Sequence, residues 1–104
     1  NTDKTDLSSR DYIFPDSNSR YLTDEDLSGY SSDQLELAKN EIYARHGRKF
    51  VTQRIADYFN SKSWYKGTVE PETFDADTSV FNEYEVANIQ KIADTEGKLR
   101  SEGK

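Results

Sequence analysis

Five basic side chains crowd into a short stretch of an otherwise acidic chain. Residues 39–54 contain Lys39, Arg45, Arg48, Lys49 and Arg54 against the single acid Glu41, which gives a local charge of +4 within a net charge of −6. Such a patch attracts anions, for example phosphates or carboxylates. The alternative is that the bases pair within the fold, with the acids of 24–26 and 70–77.

Where these bases lie decides between the two interpretations. Arg48 and Lys49 follow a predicted helix end at Gly47, so we expect both side chains to face solvent, and Arg54 on the next helix to join them. Trp64 and Tyr65 are a second candidate for binding, because adjacent aromatic rings can form a platform for a sugar ring. Large aromatic side chains also dominate small cores, and the sequence favours that role for Trp64 and Tyr65.

Polar residues in the predicted central helix have a functional and a structural interpretation. The Arg45 fork can hold an external carboxylate or phosphate, or pair internally with Glu41 or Glu85. Asn40 is expected to bond the backbone of an adjoining loop. Buried polar groups need partners, so we favour structural roles for Arg45 and Asn40.

His46, the one histidine, and Gly47 are typical of a helix terminus. Catalysis by His46 would need a nucleophile and an orienting group, and no nucleophile elbow is present.

Two acidic stretches resemble chemical sites only superficially. Asp24, Asp26, Ser28 and Gly29 match part of a calcium loop, but Leu35 stands where a bidentate acid is required. The acids of 70–77 could include a glycosidase pair, although acids are abundant throughout the chain. We therefore predict no metal, no cofactor and no enzymatic activity.

Composition excludes several classes of protein. The chain has 104 residues, which suits one domain, and contains 20 acidic and 14 basic residues. The acidic balance argues against nucleic acid as a partner, and no apolar run is long enough for a membrane span. Without cysteine, disulfides and thiolate metal sites are impossible. Aromatic residues make up 12% of the chain, which favours a folded domain over disorder.

The elements that would position these residues begin at a repeated capping pattern. In three places a cap residue follows an apolar residue and precedes, by three positions, an acid or amide, which is the capping box with its hydrophobic staple. The caps and their reciprocal partners are Thr23 with Asp26, Ser31 with Gln34, and Asn82 with Glu85. Three such boxes predict a mostly helical fold.

Apolar spacing extends these starts into an all-α domain of about four helices. The predicted helices span about 24–27, 32–46, 53–60 and 83–94 or beyond, the last with a stripe of Val86, Ile89, Ile92 and Ala93. Residues 64–80 are predicted as a loop, and Tyr12-Ile13-Phe14 before Pro15 as an extended segment.

The second helix is apolar on two sides, with Leu35, Ala38 and Ile42 on one face and Leu37 and Ala44 on the other. It therefore belongs at the centre of the fold. We predict a flexible segment 1–11, a domain over 12–94 and a fraying tail 95–104.

Residues 40–50 resemble the YARHG domain, a family named for the sequence Tyr-Ala-Arg-His-Gly, here Tyr43 to Gly47. Further matching segments are Pro15-Asp16-Ser17, Arg20-Tyr21-Leu22, Tyr58-Phe59, Trp64-Tyr65 and Asn82-Glu83-Tyr84-Glu85. The resemblance covers about residues 12–93.

The resemblance implies a bacterial extracellular domain of exported proteins and lipoproteins, without catalytic activity or established site residues. It implies a non-catalytic module, secreted or at the cell surface, that binds a cell-wall component. The alternative is a structural spacer or a domain that contacts a surface protein. We expect a monomer and the mature part of an exported protein.

Overall fold

Five helices make up the regular structure of residues 12–77 and 79–103, the part of the chain that this computed structural model describes. They are α1 (Asp24–Leu27), α2 (Ser32–Ala44), α3 (Gln53–Asn60), α4 (Pro71–Ala76) and α5 (Glu83–Ser101). No strand occurs in these residues, so the predicted all-α class is confirmed. The predicted flexible segment 1–11 lies outside the described residues.

All three predicted capping boxes are present. In α1, α2 and α5 the cap side chain accepts from the backbone of the third helical residue, whose side chain accepts in return from the cap backbone. Each box satisfies two of the backbone donors that a helix start leaves without an intrahelical partner. The starts of these helices are therefore determined by residues within four positions of each other.

Helix α4 corrects the prediction that residues 64–80 form a loop. Pro71 occupies its first turn, where a fixed φ and a missing N–H cost nothing. Phe74 is buried and meets the Tyr43 ring edge to face, with 5.9 Å between ring centroids. This short helix exists because a proline starts it and one aromatic side chain anchors it.

The end of α2 is a Schellman turn around Gly47. The helix ends at Ala44 rather than at the predicted His46, and Gly47 takes the left-handed φ of +88°. The Gly47 N–H donates to the Ala44 carbonyl at 2.9 Å, and the Arg48 N–H donates to the Tyr43 carbonyl at 3.3 Å. Arg48 then forms an isolated parallel bridge with Val69, which brings the 64–70 segment beside the motif.

The central position of α2 is confirmed by the two apolar clusters of the core. Leu35, Ala38 and Ile42 belong to the larger cluster, which includes Ile92 of α5. Ala44 belongs to a second cluster with residues of α3, and Leu37 packs against both. The helix thus separates α5 on one side from α3 on the other.

The buried face of α5 differs from the predicted apolar stripe. Val86 is exposed, whereas Glu85, Asn88, Ile92 and Glu96 are buried. Three of these four side chains are polar, so hydrophobic spacing alone assigned Val86 to the wrong face. The helix continues beyond residue 94 to Ser101, while the predicted domain boundaries stay a prediction.

Candidate functional site

Arg45 of the motif contacts the segment before α1 and not a carboxylate. Its guanidinium donates to the Pro15 carbonyl at 3.1 Å and to the Ser17 hydroxyl at 3.5 Å. It also lies over the Tyr12 ring, 4.7 Å from the centroid, in cation–π geometry. The predicted ion pair with Glu41 or Glu85 is wrong, because both carboxylates bind other groups.

Glu41 holds the same segment through its backbone. The side chain is fully buried, and its two oxygens accept from the Ile13 N–H at 2.7 Å and the Phe14 N–H at 3.1 Å. These bonds satisfy two backbone donors of a buried segment. Ile13 and Phe14 form bends that lead into a turn, so the predicted extended segment is wrong there. Sequence reasoning considered Glu41 only as a partner for Arg45, and the backbone role was missed.

Asn88 of α5 is the third polar residue that fastens this segment, and the sequence analysis missed it. Its carbonyl oxygen accepts from the Leu22 N–H at 2.8 Å. Its amide nitrogen donates to the Ser17 carbonyl at 2.8 Å and to the Arg20 carbonyl at 2.9 Å. An asparagine between the apolar residues of α5 was the available signal. We call Glu41, Arg45 and Asn88 the N-terminal clamp, since together they hold residues 12–22.

The remaining motif residues link α2 to its neighbours. His46 Nε2 lies 2.9 Å from Glu85 Oε2, and its ring meets Phe81 edge to face. The other Glu85 oxygen accepts from the Asn82 N–H, so the cap of α5 and the end of α2 are joined. Asn40 donates to the Glu36 carbonyl of its own helix at 2.9 Å, so the predicted contact with a loop is wrong.

Arg48 corrects the expectation that it faces solvent. Its side chain is 17% exposed, and its Nε and Nη2 donate to the two Asp75 oxygens at 3.0 and 3.1 Å. The guanidinium lies over the Phe50 ring at 5.3 Å. Hydrogen bonding to Arg48 lowers the pKa of Asp75 below its ordinary value. Arg48 is therefore fixed between α4 and the aromatic cluster.

Lys49 and Arg54 are exposed, as predicted, but both are ion-paired. Lys49 Nζ lies 2.6 Å from Glu70 Oε2, and Arg54 pairs with Glu36 of α2. The hydrogen bond that Lys49 donates to Glu70 raises the pKa of Lys49. We call Arg48, Lys49 and Arg54, with their acidic partners, the basic corner.

Two acidic segments, 24–26 and 70–77, were predicted to pair with the basic side chains, and only the second pairs with the basic corner. The acids of 70–77 bind Arg48 and Lys49, as the preceding contacts show. Those of 24–26 do not reach the basic corner, because Asp24 binds Lys91 and Asp26 binds Arg20.

A shallow cleft of about 290 Å³ opens beside Lys49. It is lined by Lys49, Phe50, Ala56, Asn60, Tyr65 and Gly67, and we call it the Lys49 cleft. The Tyr65 hydroxyl donates to the Arg48 carbonyl at 2.7 Å, and burial raises the pKa of this phenol. A Cβ on Gly67 would lie 2.6 Å from the Tyr65 hydroxyl oxygen and 3.1 Å from Lys49 Cγ. Only glycine lets these two side chains approach the floor of the cleft.

Trp64 does not line the Lys49 cleft, although Tyr65 beside it does. The indole stacks on the Tyr12 ring, with 4.8 Å between centroids, and meets Phe59 edge to face. Both side chains pack against the second core cluster, the role that the sequence favoured. The alternative, an aromatic platform, is divided, with Trp64 packed against the N-terminal segment and Tyr65 at the cleft.

The candidate calcium loop is a helix cap. The Asp26 carboxylate accepts from the Thr23 N–H at 2.8 Å and pairs with Arg20, which lowers the Asp26 pKa. Among residues 12–77 and 79–103, no three His, Asp or Glu side chains are arranged to hold a metal ion. The helices in that part of the chain include none long and apolar enough to cross a membrane.

Comparisons with known proteins give one family. Searches of curated proteins and of solved structures find no match. The family model of the YARHG domain matches residues 10–97, which is most of the 104-residue chain and includes the clamp and the basic corner. The chain therefore belongs to the YARHG domain family.

Proposed function

We propose that this chain is a non-catalytic extracellular module that binds an anionic component of the bacterial cell wall. Membership of the YARHG family supports the extracellular location and the absence of catalysis. The observation that carries the binding role is the Lys49 cleft, which is lined by Lys49, Asn60 and Tyr65 together. Ligand sites combine apolar walls with a few polar groups in this way.

The chemistry of the Lys49 cleft suits a carboxylate or phosphate carried on a polar chain. The Lys49 ammonium supplies charge, and the exposed Asn60 amide can donate and accept hydrogen bonds. The volume of the Lys49 cleft, about 290 Å³, fits one sugar or amino-acid unit better than a large ligand. The module would thus bind a single unit of a repeating polymer.

Retention on purified cell walls tests this proposal. The wild-type chain should bind at low salt and be released as salt rises, because charges beyond about 8–10 Å are screened at ordinary ionic strength. Lys49→Glu should abolish retention with little change in melting temperature, since Lys49 is exposed. The matched control is Lys98→Glu, which makes the same charge change at an exposed lysine lining a different cleft.

Other results would contradict the proposal. Equal retention of Lys49→Glu and Lys98→Glu would exclude the Lys49 cleft. No retention at any salt would favour a structural spacer. Release of soluble wall fragments over time would show an enzyme.

A second candidate function is a contact with another protein, favoured by exposed apolar residues on both sides of Tyr43. Tyr43 lines a cleft of about 290 Å³ that includes Val51, and a groove of about 210 Å³ that includes Val86. Val51 is 84% exposed and Val86 54% exposed. Wall retention that survives high salt and Lys49→Glu, but not Val51→Asp with Val86→Asp, would point to this face.

A further inference from the structure

The Glu70 carboxylate is bound to the ammonium of Lys49, whose side chain lines the Lys49 cleft, although Glu70 itself is not part of the lining. We propose that Glu70 is an internal competitor, which occupies the place that the anionic group of the ligand takes. This inference rests on the proposed function, because it concerns the regulation of the same site. Binding would then exchange one anion for another on Lys49.

The Lys49–Glu70 contact has the geometry of a replaceable pair. Lys49 Nζ and Glu70 Oε2 are 2.6 Å apart, with side chains 46% and 65% exposed. A lysine ammonium is a compact charge that can bind anions of many shapes, whereas the planar guanidinium of arginine is matched to a planar partner such as a carboxylate. Exposed pairs of this kind contribute little to stability, so their exchange costs the fold little.

Glu70 is also dispensable for the helix that it precedes. It occupies the N-cap position of α4, yet its side chain makes no capping hydrogen bond to the described backbone of that helix. Pro71 already supplies the start of α4, and Phe74 supplies its anchor. The Glu70 side chain is therefore free to swing away without unfolding α4.

The neighbouring pair shows what a structural contact looks like in the same place. Arg48 holds both oxygens of Asp75 and is 17% exposed. It also lies over the Tyr43 and Phe50 rings. An incoming anion would have to break two hydrogen bonds and two ring contacts there, so of these two neighbouring bases Lys49 is the one whose partner can be exchanged.

Glu70→Gln tests the competition, with Glu72→Gln as the matched control. Both changes remove one exposed acid from α4 or its cap, so both alter the net charge equally. Glu72 makes no ion pair with a described residue, whereas Glu70 binds Lys49. Only Glu70→Gln uncovers the ammonium, and it should tighten binding about two- to fivefold, the range expected when a weak internal competitor is removed.

Two probes separate this inference from the proposed function. The first is titration with sodium acetate and with sodium phosphate at constant ionic strength, followed by the amide resonances of Lys49 and Gly67. The second is retention on intact walls and on walls stripped of phosphate polymers by acid extraction. Stronger binding of phosphate than of acetate, with loss of retention on stripped walls, would identify a phosphate polymer. Stronger binding of acetate, with retention kept on stripped walls, would identify a peptide carboxylate.

Each outcome decides one of the two proposals. Tighter acetate or phosphate binding by Glu70→Gln than by Glu72→Gln supports the competitor. Equal binding by the two variants, or weaker binding by Glu70→Gln, overturns it. If Glu70→Gln binds small anions more tightly and neither it nor the wild type binds walls, the competitor stands and the wall-binding function fails.

Discussion

The N-terminal clamp and the basic corner both consist of polar side chains, but these side chains bind different kinds of partner. In the clamp, buried side chains bind backbone atoms: Glu41 holds two N–H groups and Asn88 holds one N–H and two carbonyls. In the basic corner, side chains bind side chains, and Lys49 does so in solvent. Buried polar groups are costly to leave without partners, whereas exposed pairs are not.

That difference separates the motif that names the family from the surface available to a ligand. Arg45 and Asn40 of the motif are engaged with backbone carbonyls of the domain itself. The residues just after the motif, Arg48 and Lys49, begin the basic corner. The contacts of these residues thus lie within the domain, and we expect substitutions there to lower stability more than they weaken binding.

The largest expected effect is that of Glu41→Ala. The change removes the Glu41 oxygens that accept from the Ile13 and Phe14 N–H groups, at about 1–3 kcal/mol each, so the free energy of unfolding should fall by about 2–6 kcal/mol. Urea denaturation measures the loss. Glu41→Gln keeps one acceptor oxygen and should lose less, and equal stability of Glu41→Ala and wild type would break the comparison.

Arg45→Ala should have a smaller effect on the same region. It removes the hydrogen bond to the Pro15 carbonyl and the contact with the Tyr12 ring, and should cost about 1–3 kcal/mol. Thermal melting measures it, and Arg45→Lys should fall between, because it keeps the charge without the fork. An unchanged melting temperature with lost wall retention would instead make Arg45 a binding residue.

The smallest effect is expected in the basic corner, for Asp75→Asn. Because Arg48 lowers the pKa of Asp75 from 3.8, the pair stabilises the fold above about pH 4, and the contribution is lost as the pH falls through the lowered value. With Asp75 62% exposed, we expect less than about 1 kcal/mol. Melting curves of wild type and variant should differ at pH 6 and converge near pH 2, and a gap that widens toward acid would contradict this.

Local signals in the sequence predicted the helix starts, because a capping box is complete within four residues. Three helix starts were therefore predicted correctly, at the caps Thr23, Ser31 and Asn82. Helix α4 carries no such box; its signals, Pro71 and Phe74, depend on a tertiary pocket beside Tyr43. The sequence predicted the elements that are determined locally and missed the one that depends on packing.

The same limit applies to the candidate site. The position of Lys49 after the helix end at Gly47 predicted its exposure, and Arg54 on the next helix was expected to join it. The partner of each base depends on where α2 and α4 bring Glu36 and Glu70. Arg48 has the same charge and the opposite exposure, because aromatic rings and Asp75 surround it. Residue type fixes what a side chain can bind, and the fold decides which partner is within reach.

The clamp also has a consequence for the order in which we expect this domain to assemble. The bond from the Leu22 N–H to Asn88 joins residues 66 positions apart, and the bond from Asn88 to the Ser17 carbonyl spans 71 positions. Segment 12–22 therefore has its main partners on helices that must first pack on each other. Closing such long loops slows folding, and weakly self-supported segments open first. We therefore expect segment 12–22 to dock last, so that protection of its amides against hydrogen exchange reports the completed domain.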